Sequence, residues 1–324
     1  MGLRNSADVR TLLWVAAMPV AVGLQYARPE LVPYLSPVSC YLALAAGIFA
    51  HNHNHCPTFE TKRGNQLFGM VLSAFYGYPT FAWVPTHNLN HHKFVNRAGD
   101  ATITWRHTNK HNWLVASTYF FVSSYWQSDP IKDYIRKARD KNPKLYRTII
   151  TQYVAWIGGV LALLATGIAL HGVKTGLFVW LLATALPSFY ALWTIMLFNY
   201  IQHVHTDPWS KHDHSRNFTG KFMNFFLFNN GFHGVHHENP GAHWSTLPGY
   251  FAKVEAQISP ELKQSNVLLY FIKTYFLALF MPRFESKQLG RAPFDPPTGE
   301  KVDLTTAEVA ASESGTNAPM LGIG

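Results

Sequence analysis

The chain has 324 residues, of which 48% are hydrophobic and only 14% charged, and its net charge is +9. A soluble protein holds about a quarter charged residues, so the balance points away from a pair of soluble domains and towards one membrane domain with its caps. Two cysteines exclude a disulfide framework; without a zinc-finger, basic-helix or RNA-binding signature, the positive charge reads as affinity for an anionic membrane surface, not for nucleic acid.

In chain order, the first apolar run covers about residues 11–28, after Arg4 and Arg10. Such an opening also fits a signal peptide. A second run at about 31–50 follows at once across a short linker, however, so the pair reads as a retained helical hairpin. A second hairpin is expected from the runs at about 149–170 and 176–200, joined by the loop HGVKTG. A span needs about 20 apolar residues, and the fourth run is long enough for its last turns to leave the lipid. The broken apolar stretches Gln66–Pro85 and Trp113–Trp126 read as interfacial or re-entrant, and Asn266–Met281 as a surface helix. The hairpin loops hold one basic residue each, Arg28 and Lys174, whereas the other 25 of 27 Lys and Arg lie in the remaining segments. The positive-inside bias therefore places both termini and residues 51–148 and 201–294 in the cytoplasm. The expected fold is an all-α membrane protein over residues 1–294, with four transmembrane helices in two hairpins and a cytoplasmic helical cap. From 295 to 324 the composition turns to Pro, Glu, Ser, Thr and Ala, a disordered tail.

Seventeen histidines are the strongest compositional anomaly, and most fall in clusters. HNHNH at 51–55 extends the second run; His51 and His55 share a helical face, and His53 lies opposite. HNLNHH at 87–92 pairs His87 with His91 and sets His92 beside them. HGVHH puts His233, His236 and His237 at i, i+3 and i+4, a spacing that stacks three imidazoles on one helical face. Neutral imidazole is the commonest metal-binding side chain, and the expected topology brings all three clusters to one side of the membrane. At the end of the fourth run, NYIQHVH places Asn199 and His203 on one face, with His205 facing elsewhere. His107 and His111 repeat the HxxxH spacing and read as an exposed polar face, while His212, His214 and His243 read as supporting or surface groups. Asp100, Asp207 and Glu238 lie beside the clusters, where a carboxylate can orient a ring N–H.

The set HNHNH, HNLNHH and HGVHH, with the runs HHKFVNRAGD and GFHGVHHENPGAHWSTLP, resembles the three histidine boxes of membrane-bound fatty acid desaturases and related hydroxylases, over about residues 45–250. The resemblance implies a di-iron site with ligands His51, His55, His87, His91, His92, His203, His233, His236 and His237, and O2 as co-substrate. Asn199 matches an asparagine that holds an iron through water in animal acyl-CoA desaturases. Nine neutral ligands exceed what one zinc takes, so the set speaks for two metals. Imidazole suits Fe, Zn, Cu and Ni alike; iron is the family's implication, and zinc can replace it in purified protein. The expected substrate is a fatty acyl lipid, as free acid, CoA or carrier-protein ester. No dinucleotide fingerprint, Cys-x-x-Cys or His-Pro-Gly-Gly motif occurs, so electrons are expected from a separate ferredoxin or a cytochrome with its reductase. Desaturation is the leading reaction. Hydroxylation, acetylenic bond formation, terminal-alkene-forming decarboxylation and carotenoid modification share the same boxes, and a non-oxidative membrane zinc protein is the distant alternative.

Overall fold

The apolar runs form helices. The computed structural model describes residues 2–298 and 304; among these the chain is mostly helical, with two strands of two residues each. It forms two compact units, one of the residues up to Pro85 with Pro130–Ile195, the other of Thr86–Asp129 with the residues from Met196 on.

In the first unit, the helices Asp8–Ala27 and Val32–His55 make the expected first hairpin, with Val32 fully buried against Tyr26, Val179 and Ala183. Gly47 is a close approach on the second helix, since a Cβ there would run into Ile195 and Tyr76. Several helices are long and apolar enough to cross a membrane. The expected six-residue loop HGVKTG is a correction: helical geometry runs over Pro143–Trp180 except at Gly172, with φ 73° and ψ 171°. That residue reverses the chain. Trp180 Nε1 donates to the Val160 carbonyl at 3.2 Å, whereas twenty residues of unbroken helix would separate them by about 30 Å. Only glycine adopts this backbone conformation readily, so one residue does the work of a loop, and Gly167 and Gly176 pack backbone to backbone beside it. A π-helical turn, Leu181–Ala185, leads into the helix Leu186–His203.

The stretch expected as interfacial from Gln66 becomes the helix Lys62–Tyr76, capped by Thr61, whose side chain accepts from the Gly64 N–H, and ended by Gly77 at φ 85°. Gln152 then holds the next segment, its Oε1 accepting from the Phe81 N–H at 2.8 Å.

The helix that starts at Trp113, in the second unit, does not stop at Trp126 but runs to Lys141, belonging to the first unit from Pro130 on. Asn217–Phe218 pairs in parallel with Lys263–Gln264. A core of Phe232, Val235, Leu247, Phe251, Ile258 and Leu262 supports the third histidine box. The expected surface helix is helical from Val267 to Leu279 but changes winding twice, and it exposes Leu268, Leu269, Ile272 and Phe276. Of the tail expected from 295, residues 299–303 and 305–324 lie outside the described residues.

Candidate metal centre

The second box is wound as a π-helix, Val84–His91, followed by a single α-turn, His92–Phe94. The wider turn changes which rings meet. His87 and His92, five apart, bring their Nε2 atoms to 3.1 Å, whereas His91 turns to His203, 3.0 Å away between Nε2 atoms. The expected sharing of a face by His87 and His91 holds, their rings stacking with centroids 5.2 Å apart, while their Nε2 atoms take different partners; π-bulges are rare and concentrate at functional sites. The chain leaves the turn through Val95 and Asn96, both at positive φ. Asn96 then ties the exit down: its Nδ2 donates to the His203 carbonyl at 3.0 Å and its Oδ1 accepts from the Thr104 N–H at 2.8 Å.

The third box is the short helix His233–Glu238. Asn217 Oδ1 accepts from the Gly234 N–H at 2.9 Å and holds the start of that helix. Its three rings lie together as the spacing predicts, with centroids 4.6 to 5.9 Å apart, and their nitrogens meet different neighbours. His233 and His237 meet at 3.1 Å between Nε2 atoms, while His236 Nε2 lies 3.1 Å from His92 Nε2.

Two sets of imidazoles result in this unit. His91, His203, His233 and His237 present donor nitrogens all within 4.8 Å of one another. His87, His92 and His236 form the other set around His92 Nε2, and the two sets adjoin where the His92 and His237 rings stack, 4.3 Å between centroids. Contacts along the first set measure 2.8 to 3.1 Å. Two nitrogens bound cis at about 2.1 Å to a six-coordinate ion stand about 3.0 Å apart, against about 3.4 Å for a tetrahedral one.

The surrounding bonds decide which nitrogen is bare. His91 Nδ1 faces Asp100 Oδ2 at 2.7 Å, with Asp100 fully enclosed. Burial raises the Asp100 pKa, but the His91 ring and the Thr102 hydroxyl and amide outweigh it and hold the carboxyl well below its usual range. An ionised carboxylate only accepts, so His91 Nδ1 donates to Asp100 and Nε2 is the ring nitrogen turned to His203. His203 Nδ1 likewise donates to the His214 carbonyl at 3.2 Å. Burial and the imidazoles of His92, His233, His91 and His203 push His237 well below its ordinary value, so it is neutral at neutral pH. Lone pairs packed in this way repel. A proton bridges one pair of nitrogens only, whereas one transition-metal ion satisfies the whole set, and among the described residues no carboxylate belongs to it.

The sequence model of the family described as Fatty acid desaturase matches residues 29–269. The chain belongs to the fatty acid desaturase family. No curated protein and no solved structure matches it. The family is a di-iron class of oxidoreductases acting on fatty acyl chains, which agrees with the donor set of this desaturase-family chain.

In the first unit, His51 and His55 occupy the last turn of their helix, with ring centroids 4.9 Å apart, and His51 packs against Trp83 at 5.1 Å. His53 points away, held by Thr58 Oγ1 at 3.0 Å and the Asn65 carbonyl at 3.2 Å. In the second unit, Asn199 donates to Tyr119 Oη at 2.9 Å. His205 turns at φ 57° and bonds to the Asn109 carbonyl and Ser286. Of the flanking carboxylates, Asp100 meets a box histidine. Glu238 bonds instead to His212 at 2.8 Å, and Asp207 accepts from the Trp209 amide at 3.0 Å. His111 is the clearest miss. It is half-buried in a loop, so the helical HxxxH spacing does not apply, and its ring lies between Tyr200 Oη at 3.2 Å and Tyr270 Oη at 3.0 Å. No local pattern in the sequence signals these contacts, which join residues 89 and 159 apart.

Proposed function

We propose that the protein is an iron-dependent desaturase that uses O2 to convert an unactivated C–C bond of a fatty acyl chain into a C=C bond. The converging, tautomer-oriented imidazole nitrogens carry the reading, supported by the family match over residues 29–269. One iron is assigned to His91, His203, His233 and His237. The other is assigned to His87, His92 and His236, with His51 and His55 taken as its further ligands, and Asn199 as a ligand through water, on the family resemblance alone. Iron held there supplies, with O2, the oxidising power to remove hydrogen from a saturated carbon.

The chain's own part is orientation and exclusion. Asp100 and the His214 carbonyl fix two imidazoles in the tautomer that leaves Nε2 free. Burial of His91 and His203 keeps water from competing for those positions. Substrate placement then selects the product, because a shift of about 1 Å in a reacting geometry changes rates a hundredfold. Four apolar helical segments span the membrane in this reading, with the boxes and both termini in the cytoplasm. Electrons come from a separate acidic donor such as a ferredoxin or a cytochrome with its reductase.

Metal analysis of purified protein with product analysis in a lipid-producing host tests the proposal. Two irons per chain and acyl products lighter by two hydrogens are expected. One firmly held zinc without an oxidised product would overturn it, and added oxygen would assign a hydroxylase.

A further inference from the structure

A line of oxidisable side chains leads away from the first imidazole set. Thr102 Oγ1 touches His91 Nδ1 at 2.9 Å, and the Thr102 carbonyl accepts from Tyr119 Oη. The Tyr119 and Tyr200 rings lie 5.1 Å apart, and Tyr200 Oη meets His111 Nδ1. On the far side of His111 stands Tyr275, 5.1 Å between centroids, and beyond it Trp113 at 5.5 Å. Tyr119, Tyr200 and Tyr275 are buried, at 3%, 0% and 4% exposure, while Trp113 is 48% exposed. The line therefore begins beside a metal-site histidine and ends at the surface.

Packing alone does not account for it. Burying a phenol hydroxyl costs free energy unless it finds a partner, and phenylalanine fills nearly the same volume. Among the described residues Tyr275 Oη is buried without a hydrogen-bond partner, and Tyr200 Oη uses the Lys110 carbonyl and the His111 ring. What a tyrosine offers over phenylalanine at such positions is its low oxidation potential, provided that a base stands ready for the proton.

We propose that Tyr119, Tyr200, Tyr275 and Trp113 form a relay that conducts oxidising equivalents from the metal centre to the surface when oxygen is activated without an acyl chain in place. The relay rests on the oxidase reading above. Tyr200 gives up one electron to the oxidised centre and its Oη proton to His111 Nδ1, leaving a neutral phenoxyl. Trp113 supplies an electron that tunnels through the Tyr275 ring, whose hydroxyl keeps its proton, the proton returns from His111 to Tyr200, and the indole loses its Nε1 proton to water. A soluble thiol then restores Trp113 by giving up a hydrogen atom. Damage that would fall on the ligand imidazoles is thus moved to a replaceable site.

The test uses the full chain, iron-loaded in lipid nanodiscs, reduced and exposed to O2 without substrate but with a nitroso spin trap, followed by peptide mapping. The trap is expected on Trp113 only with both iron and O2. In Tyr200→Phe the Trp113 adduct should fall severalfold at equal iron content, with adduct appearing on Tyr119. Equal Trp113 labelling in wild type and Tyr200→Phe overturns the relay, as does a wild type that consumes O2 without labelling. If Tyr200→Phe loses iron, His111→Gln decides the same comparison, because it removes the proton acceptor while touching no proposed ligand. Wild-type protein that takes up no oxygen overturns the oxidase reading itself, and the relay with it.

Discussion

Replacing Asp100 with asparagine perturbs the metal centre through one atom. The carboxylate accepts four hydrogen bonds: Oδ2 from His91 Nδ1 at 2.7 Å and the Asn96 N–H at 2.8 Å, Oδ1 from the Thr102 N–H and hydroxyl, both at 2.7 Å. Asparagine keeps one acceptor oxygen and turns an NH2 towards one of these pairs. In either orientation a buried backbone N–H, of Asn96 or of Thr102, loses its partner, which costs about 1–3 kcal/mol. His91 also loses the negative charge that makes it a better donor, and disruption of such a partner lowers metal affinity about 10–100-fold. Metal-free Asp100→Asn should thus melt earlier, and the loaded variant should yield iron to a competing chelator at correspondingly lower concentration. Chelator resistance and melting both equal to wild type would refute the assignment of the His91 tautomer, and with it the argument that lone pairs converge on a cation.

Gly172→Ala should destabilise the protein by about 1–3 kcal/mol, because φ 73° with ψ 171° is a region nearly closed to other residues; open space around the glycine makes this a backbone effect alone, readable by thermal melting. Arg216→Met should cost about 1–3 kcal/mol in the same assay, since the buried guanidinium donates to the Ile201 and Val204 carbonyls at the end of the Leu186–His203 helix. His111 is held well below its ordinary pKa by burial and by His205 and Arg216. The unfolded chain therefore binds a proton below about pH 6.5 that the folded chain refuses, and this residue's contribution to stability falls as pH drops through that value. His111→Gln should flatten the loss of melting temperature between about pH 7.5 and about pH 5.5; an unchanged slope would show that His111 is protonated in the folded protein.

The sequence by itself determined whatever depends on local period and composition. Apolar runs of sufficient length became helices, and His51 and His55 fell on one face of the turn that ends Val32–His55 because residues four apart always do. His203 occupies the end of its helix for the same reason. What the tertiary structure decided is the partnership of each ring. A π-winding, set by how the backbone closes its hydrogen bonds, joined His87 to His92 and sent His91 to His203. Rings distant in the chain took His236 to His92 and His233 to His203. A single glycine replaced a six-residue loop, and Tyr200, Tyr275 and His111, distant in the chain, came into one buried line. Such contacts depend on side chains far apart in sequence and on loop backbone conformations, neither of which a periodic pattern encodes.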